Sequence, residues 1–322
     1  MRRGTAILLL ALFHGLVFGR EPVGTLVIFH AGSLAVPMAE LGREFNRLHP
    51  GLEIRREADG SRVCARKISE LGRACDVMAS ADYRVIDELL IPGHASWNLR
   101  FASNELVVAM GKGRVQSRRV TADNVFDRML SGELVFGRSD PDSDPCGYRT
   151  VHAIRLAGLE AGRPGMADSL LALHHRHMRP KEVDLLALLE MGEIDCLFIY
   201  RSVAVQHGLD MVALPAAINL GDPALDESYR RVWADVAGKR PGETTRLHGE
   251  SMVYGVTIPT SSPNPTAALA FVRFLLEKEQ GGAILARLGQ PGVAPAPTDC
   301  WEALPAVLRP YARPALNREA TP

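Results

Sequence analysis

The sequence predicts an α/β fold built from two doubly wound units, and three observations support that prediction. The chain of 322 residues is long enough for one large domain or two ordinary ones with real cores. Its content of 47% hydrophobic and 23% charged residues is typical of a soluble globular protein. Predicted strands and helices alternate along the chain, which is typical of a parallel sheet covered by helices. No linker rich in proline, glycine or serine separates two halves, so we expect the chain to cross between the units more than once.

The individual elements follow from the spacing of apolar residues and from the positions of glycine, proline and serine. The predicted strands are Thr25–Phe29, Leu52–Glu57, a short strand within CDVMASA, Leu106–Met110, a strand within ELVFGRSDP, Cys196–Tyr200 and a strand within GESMVYGVTIP. Helices are predicted between these strands; the first lies within AVPMAELGREFNRLHPG, and Pro50-Gly51 ends it. A pair of helices is predicted near the C-terminus, within NPTAALAFVRFLLEKEQGGAILARLG.

The N-terminal segment predicts export. Arg2 and Arg3 precede an apolar run, Ala6–Phe18, and Val17-Phe18-Gly19 supplies a small-residue cleavage site. The run is short for a transmembrane span, which needs about 20 residues, so a cleaved signal peptide (residues 1–19) is favoured over an uncleaved membrane anchor. We therefore expect a periplasmic protein that is cleaved near Gly19.

Charge and cysteine content exclude several classes of function. Lys+Arg and Asp+Glu both number 37, so the chain carries no basic excess for binding nucleic acid. Five cysteines, without a C-x-x-C spacing, fit neither a disulfide scaffold nor a zinc cassette. One or two disulfides and buried free thiols are equally compatible with an oxidising compartment. The cysteines are Cys64, Cys75, Cys146, Cys196 and Cys300.

Three loops that follow predicted strands combine glycine with hydroxyl or carboxylate groups. They are HAGS at 30–33, ADGS at 58–61 and DSDPCG at 142–147. In such sheets ligands bind at the carboxyl ends of strands, where glycine lets backbone N–H groups come close and helix N-termini attract anions. Each serine alone is explained as a helix N-cap, but two matching serine loops favour an anion site. The phosphate loops typical of nucleotide sites are absent.

The third loop raises a separate question, because it carries three aspartates. Pro145 suits the first position of a helix, so Asp144 is placed as the N-cap. Asp140 and Asp142 are expected to interact with solvent instead of a ligand. From the residues alone, a helix cap is sufficient to explain Asp144.

Several longer motifs resemble the molybdate/tungstate-binding components of ABC importers, in particular the tungstate-type branch first known from archaea. The motifs are FHAGSL, ADGSRVCARKISELGR, DVMASADYRVID, FGRSDPDSDPCGYR, MRPKEVDLLALLE and FIYRSVAVQHGL. Together they cover nearly the whole chain from Gly24 to about Arg287. The resemblance implies a type II periplasmic-binding-protein fold, in which two α/β lobes joined by a hinge hold one oxyanion between them.

On this basis we expect the first lobe to comprise residues 20–107 and 251–322, with the C-terminal helices, and the second lobe residues 108–250. Glu105, which follows Asn104 at the first crossing, is expected near the hinge.

The resemblance also implies the ligand contacts. The positions that match the family's two serines, two carboxylates and tyrosine are Ser33, Ser61, Asp144, Glu182 and Tyr200, and Gly32 and Cys146 complete the predicted set of ligand-binding residues. The serines should lie on the first lobe and the other three contacts on or near the second. Two departures from the family are a shorter segment between DPCGYR and RPKE and the presence of Asp59 in place of a small residue. Asp59 is unfavourable near an anion unless its side chain points away.

In this family the carboxylates act on the metal of the ligand. Asp144 and Glu182 are therefore expected to coordinate hexavalent tungsten or molybdenum and complete an octahedron around the four oxo groups. The serines, backbone N–H groups and Tyr200 would donate hydrogen bonds to the oxo oxygens. Because sulfate and phosphate do not expand their coordination in this way, the same carboxylates would repel them.

The resemblance thus implies a soluble, monomeric receptor that closes on tungstate or molybdate and delivers it to a membrane ABC permease, without a cofactor and without enzyme activity. A receptor for another oxyanion, such as sulfate or phosphate, is the alternative. From a different class, an exported hydrolase would use Cys146 or Ser33. The sequence places no base beside Cys146, and His30 with Ser33 does not form a triad. The HHRH run at 174–177 is short and irregular, which favours an exposed loop or helix end over a metal site.

Overall fold

A computed structural model describes residues 21–315, apart from residues 174 and 241, and the predicted signal peptide lies outside this range. The strands are β1 (Gly24–Ala31), β2 (Leu52–Asp59), β3 (Val77–Ser80), β4 (Leu99–Ser103), β5 (Leu106–Met110), β6 (Phe136–Ser139), β7 (Met178–Arg179), β8 (Cys196–Tyr200), β9 (Asp210–Ala213), β10 (Trp233–Ala237), β11 (Thr244–His248), β12 (Val253–Thr257), β13 (Ala296–Thr298) and β14 (Ala312–Pro314). The α-helices are α1 (Ala35–Leu48), α2 (Ser61–Ser69), α3 (Tyr83–Leu89), α4 (Arg114–Arg118), α5 (Val125–Leu130), α6 (Pro145–Glu160), α7 (Met166–Ala172), α8 (Leu185–Met191), α9 (Arg201–Gln206), α10 (Ala216–Asn219), α11 (Asp226–Tyr229), α12 (Pro265–Leu276) and α13 (Ala283–Arg287).

Two five-stranded sheets organise the chain. The first sheet has the order β2-β1-β3-β12-β4 and the second has the order β7-β6-β8-β5-β9. We call the first sheet with its helices the first lobe, and the second sheet with its helices the second lobe. The prediction of two α/β units is therefore confirmed. The chain leaves the first sheet after β4, returns to it at β12, and so crosses between the sheets more than once, as predicted.

The prediction of wholly parallel sheets is wrong for one strand in each. Strand β12 runs antiparallel to β3 and β4, and β5 runs antiparallel to β8 and β9. The register gives the reason, since Leu106 at the start of β5 pairs with Tyr200 at the end of β8. Likewise Val253 at the start of β12 pairs with Ser103 at the end of β4. A strand that arrives from the other lobe starts at the cleft, the space between the two lobes. Its neighbours end there, so the arriving strand must run in the opposite direction.

Most long elements lie where the sequence predicts them. Strands Leu106–Met110 and Cys196–Tyr200 have the predicted bounds, and α12 and α13 form the predicted C-terminal pair, joined by a π-helical turn at Lys278–Gly282. Strands β4, β7, β9, β10, β11, β13 and β14 were not predicted. The predicted lobe boundaries at 107/108 and 250/251 remain predictions; the strands change sheet between Ser103 and Leu106 and between Ala213 and Val253.

Helix α6 is central to the second lobe. It begins at Pro145 after the N-cap Asp144, and thirteen of its sixteen residues are buried. The burial is nearly complete because α6 lies between the second sheet and the β10–β11 hairpin. Tyr148 and Val151 of α6 pack against Ala234, Val236 and Leu247 of that hairpin.

The segment between β4 and β5, where the hinge is expected, is tightly hydrogen-bonded. Asn104 donates to Ser202 Oγ at 2.7 Å and accepts from the Ser202 backbone N–H at 3.3 Å. Glu105 accepts from Asn219 at 2.9 Å and lies 3.2 Å from the Arg201 guanidinium. The assignment of a hinge motion to this segment remains a prediction.

All five cysteines lie in the described part of the chain, and all are free thiols. Four are buried and Cys300 is partly exposed, so burial accounts for them without disulfides. Within residues 21–315, other than 174 and 241, no helix is long and apolar enough to cross a membrane.

Asp76 joins the N-terminal and C-terminal parts of the first lobe. Its buried carboxylate accepts the backbone N–H of Val27 at 2.8 Å, the Ser262 hydroxyl at 2.7 Å and the backbone N–H of Asn264 at 2.6 Å. Asn264 is the N-cap of α12. One carboxylate thus holds the start of α12 against β1.

We expect Asp76→Ala to lower the free energy of unfolding by about 3 kcal/mol, because three donors lose their acceptor in a buried place. Urea denaturation would measure the loss. Asp222→Ala is the matched control, since exposed Asp222 caps only a short 3-10 turn through the Ala224 N–H. It should cost about 1 kcal/mol or less, and an equal cost for both variants would contradict the structural role of Asp76.

Candidate functional site

The three predicted loops meet where the two lobes touch. The backbone N–H of Arg62, just after the ADGS loop, donates to the Ser143 carbonyl of the DSDPCG loop at 3.2 Å. A Cβ placed on Gly60 would overlap that same carbonyl oxygen, so only glycine fits there. A Cβ on Gly32 would lie 3.3 Å from Glu182 Oε2. Both glycines therefore allow first-lobe loops to approach second-lobe groups closely.

Asp144 is the helix cap that the sequence predicts, and it also has a second partner. Its Oδ1 accepts the backbone N–H of Cys146 at 3.4 Å, and its Oδ2 accepts the backbone N–H of Glu182 at 3.1 Å. The side chain is fully buried. Asp144 therefore joins the start of α6 to the 3-10 turn Glu182–Asp184.

Glu182 is fully buried, and among the described residues no donor reaches either of its carboxylate oxygens. Burial, together with the adjacent Asp144 carboxylate, raises the pKa of Glu182 well above its usual value. Burial likewise raises the pKa of Asp144. A buried carboxylate without a donor is costly, so this pair requires a shared proton or an electron-poor partner.

The hydroxyl oxygens of the three predicted contacts, Ser33, Ser61 and Tyr200, each accept a hydrogen bond from another group of the protein. Ser61 Oγ accepts the Ala81 N–H at 3.0 Å, and Tyr200 Oη accepts the Arg149 guanidinium at 3.1 Å. Ser33 Oγ lies 3.2 Å from Tyr254 Oη, which accepts from Asn104 at 3.1 Å and so donates to the serine. In each case a protein donor occupies the hydroxyl oxygen, so the hydroxyl proton remains for a ligand.

The alternative that the two serines are ordinary N-caps is wrong. Gly60 precedes α2 at the cap position and Ser61 is the first helical residue, while Leu34 occupies that position before α1. Neither helix has a side-chain cap hydrogen bond. The serine hydroxyls are instead held by partners far away in the sequence.

The remaining acidic residues of the loops each have a partner within the protein. Asp59 lies 2.7 Å from the Lys67 ammonium, which meets the condition that its side chain point away. Asp140 accepts from the Ser143 hydroxyl at 2.7 Å, and Asp142 accepts the Ala237 N–H at 2.6 Å. These two aspartates hold loops together, whereas the sequence predicted only contact with solvent.

Cys146 does not have the surroundings of a nucleophile. Its thiol is buried 3.7 Å from the Phe198 carbonyl, and burial raises its pKa well above the usual value. Burial lowers the pKa of His30 to about 4, and its Nδ1 contacts the Ala31 carbonyl at 2.9 Å, not Ser33. Among the described residues, no group of three or more His, Cys, Asp or Glu side chains could hold a metal ion, and His174 of HHRH lies outside them.

A buried ionic cluster beside the site was not predicted from the sequence. Asp82, the N-cap of α3, accepts from Tyr148 Oη at 2.6 Å and lies 3.0 Å and 3.3 Å from the guanidinium groups of Arg84 and Arg149. Burial opposes its ionisation, but Arg84 and Arg149 hold the pKa of Asp82 below its usual value. Both sides of this cluster lie in motifs already noted, SADYRVID and DPCGYR, but nothing in the sequence pairs them.

The sequence matches the family of bacterial extracellular solute-binding proteins over residues 26–289. The chain belongs to this family. Its members are exported and are typically binding proteins without enzyme activity. The prediction of a solute-binding protein is therefore confirmed at the level of the family.

Three known proteins illustrate the relationship. An uncharacterized solute-binding protein of Petrotoga mobilis is 39% identical over 317 residues, covering 97% of this chain and 98% of that protein. The molybdate/tungstate-binding protein WtpA of Thermococcus kodakarensis is 34% identical over 310 residues, covering 85% of this chain and 86% of that protein. The solved structure of the sulfate-binding protein SubI of Mycobacterium tuberculosis superimposes with a TM-score of 0.62 and covers 90% of this chain and 92% of that protein. At 15% identity, this similarity shows the fold alone. The predicted two-lobed type II fold is thus confirmed.

Gly60→Ala should weaken ligand binding at least about tenfold, because the added methyl group overlaps Ser143 and keeps the lobes apart. The backbone at Gly60 has a φ of −57° and accepts alanine without strain, so the effect is steric. Titration calorimetry with sodium tungstate and small-angle scattering would measure affinity and closure. Gly93→Ala is the control, since a Cβ there meets nothing within 4 Å.

Glu182→Gln should raise the melting temperature of the ligand-free protein at pH 7 but not at pH 4. The folded-state pKa of Glu182 lies above its ordinary value of 4.5, so the wild-type protein loses stability as pH rises above that value. Glutamine mimics the protonated form and removes this loss. Scanning calorimetry at both pH values would measure it, with exposed Glu193→Gln as control. A gain that is equal at both pH values would contradict the explanation.

Proposed function

We propose that this protein captures tungstate or molybdate between its two lobes and delivers it to a membrane ABC permease. The observation that carries the proposal is Glu182, a buried carboxylate without a donor, held beside Asp144 and next to the HAGS loop that carries Ser33. The 34% identity to a protein named for binding molybdate and tungstate supports the same ligands.

The carboxylates and the hydroxyls have complementary tasks. Hexavalent tungsten and molybdenum accept additional oxygen ligands, and carboxylates are hard oxygen donors of the kind that such centres bind. Asp144 and Glu182 would therefore coordinate the metal, while Ser33, Ser61 and Tyr200 donate hydrogen bonds to the oxo groups. Gly32 and Cys146 complete the proposed set of ligand contacts.

The same pair of carboxylates disfavours other oxyanions. Two like charges 4 Å apart repel by about 4 kcal/mol at an effective dielectric constant of 20. Tungstate and molybdate offset this repulsion by forming metal–oxygen bonds, which sulfur and phosphorus do not form. We therefore favour tungstate and molybdate over sulfate or phosphate as ligands. Capture and delivery by a monomer would need neither a cofactor nor turnover.

Calorimetry on the mature protein, stripped of ligand, tests the proposal with tungstate, molybdate and sulfate. We expect one-to-one binding of the first two ions and binding of sulfate that is weaker by about a hundredfold or more. The Asp144→Ala/Glu182→Ala variant should lose tungstate binding or lose its discrimination against sulfate. Asp59→Asn is the control, since this carboxylate lies in a site loop but contacts Lys67.

Two results would overturn the proposal. Equal binding of sulfate and tungstate by the wild-type protein would make it a general oxyanion receptor. Unchanged binding by the double variant would leave Asp144 with only its role as a helix cap.

A further inference from the structure

Arg149 connects both lobes and a residue of the proposed site. It lies on α6 of the second lobe and is only 1% exposed. Its Nη1 donates to the Ala81 carbonyl of the first lobe at 2.7 Å and to Tyr200 Oη at 3.1 Å. Its Nη2 lies 3.3 Å from the Asp82 carboxylate. One guanidinium therefore contacts the first lobe and the site tyrosine at the same time.

The Ala81 peptide extends this connection to the other lobe's part of the site. Its N–H donates to Ser61 Oγ at 3.0 Å, while its carbonyl accepts from Arg149 at 2.7 Å. A continuous series of hydrogen bonds thus runs from Ser61 through Ala81 and Arg149 to Tyr200. It joins one proposed ligand contact in each lobe.

The bond from Arg149 determines how Tyr200 can act. A hydroxyl that accepts a hydrogen bond from a cation keeps its own proton for donation, and a charge-assisted bond of this kind is stronger than a neutral one. Tyr200 then offers a ligand a donor, not an acceptor. An oxo group, which can only accept, is the partner that fits.

We propose that Arg149 is a positioning residue that makes Tyr200 a hydrogen-bond donor to the bound oxyanion. The proposal rests on the proposed function. The contacts of Arg149 with Ala81 and Asp82 of the first lobe hold its guanidinium at Tyr200.

Arg62 provides a matched control for this role. It is equally buried, at 1% exposed, and also bridges the lobes. Its guanidinium lies 3.4 Å from Glu88 of its own lobe and donates to the Ala237 carbonyl of the β10–β11 hairpin. It has no hydrogen bond to Tyr200. Replacing it disturbs the contact between the lobes without disturbing the tyrosine.

A double-mutant cycle on the mature protein tests the proposal, with the dissociation constant for sodium tungstate as the readout. Tyr200→Phe should weaken binding about tenfold in the wild-type background, the value of one hydrogen bond. It should weaken binding equally in Arg62→Met but less than about twofold in Arg149→Met. A purely structural role of Arg149 would lower stability without changing the effect of Tyr200→Phe.

The outcomes separate this inference from the proposed function. An equal effect of Tyr200→Phe in all three backgrounds would overturn the role of Arg149 while leaving tungstate capture intact. Absence of tungstate binding by the wild-type protein would overturn both. If Arg149→Met does not fold, Arg149→Lys completes the cycle. It keeps the charge but cannot span the same acceptors, so it should also reduce the effect of Tyr200→Phe.

Discussion

Two carboxylates, Asp144 and Glu182, lie side by side in a buried space between the lobes, and the surrounding structure is arranged around them. Asp144 has a backbone N–H for each of its oxygens, one from Cys146 and one from Glu182. Glu182 receives no donor from the described residues. The electrostatic cost of this arrangement falls on Glu182, whose pKa burial and the Asp144 carboxylate raise. The glycine at position 32 lets the first lobe close over that carboxylate.

The direction of the strands explains why these groups meet. The parallel strands β1, β3, β6 and β8 end at the cleft, so the loops that follow them face each other across it. Strands β5 and β12 enter from the other lobe and therefore begin at the cleft and run away from it. The antiparallel strand in each sheet is thus a consequence of a chain that crosses between lobes. Strand β12 also carries Tyr254, whose hydroxyl donates a hydrogen bond to Ser33.

Contacts between the lobes rely on arginines that donate to backbone carbonyls. Arg149 bonds to Ala81, Arg62 bonds to Ala237, and Arg84 bonds to His248 at 2.9 Å. A backbone acceptor is present whatever side chain the partner carries, so the position of the arginine sets the geometry. Asp82 balances two of these cations in the buried interior. The closed arrangement therefore combines paired charges with a site whose hydroxyl groups are already oriented.

The sequence by itself determined the class of fold, the main elements and the identity of the residues to examine. Strands β5 and β8 were predicted with their observed bounds because continuous apolar runs identify strands buried on both faces. The cap at Asp144 followed from Pro145, since both signals are local. The resemblance supplied Glu182 and Tyr200, which no local pattern would have singled out.

Only the tertiary structure decided what those residues contact. Ser33 bonds to Tyr254, and Ser61 bonds to Ala81, so the partners are distant in the sequence and the cap interpretation failed. The hairpin β10–β11 and the directions of β5 and β12 depend on packing against other elements and on where the chain crosses between lobes. The burial of Glu182 beside Asp144 depends on segments that are distant in the sequence. Hydrogen-bond partners and burial are properties of groups brought together by folding, and local periodicity contains no information about them.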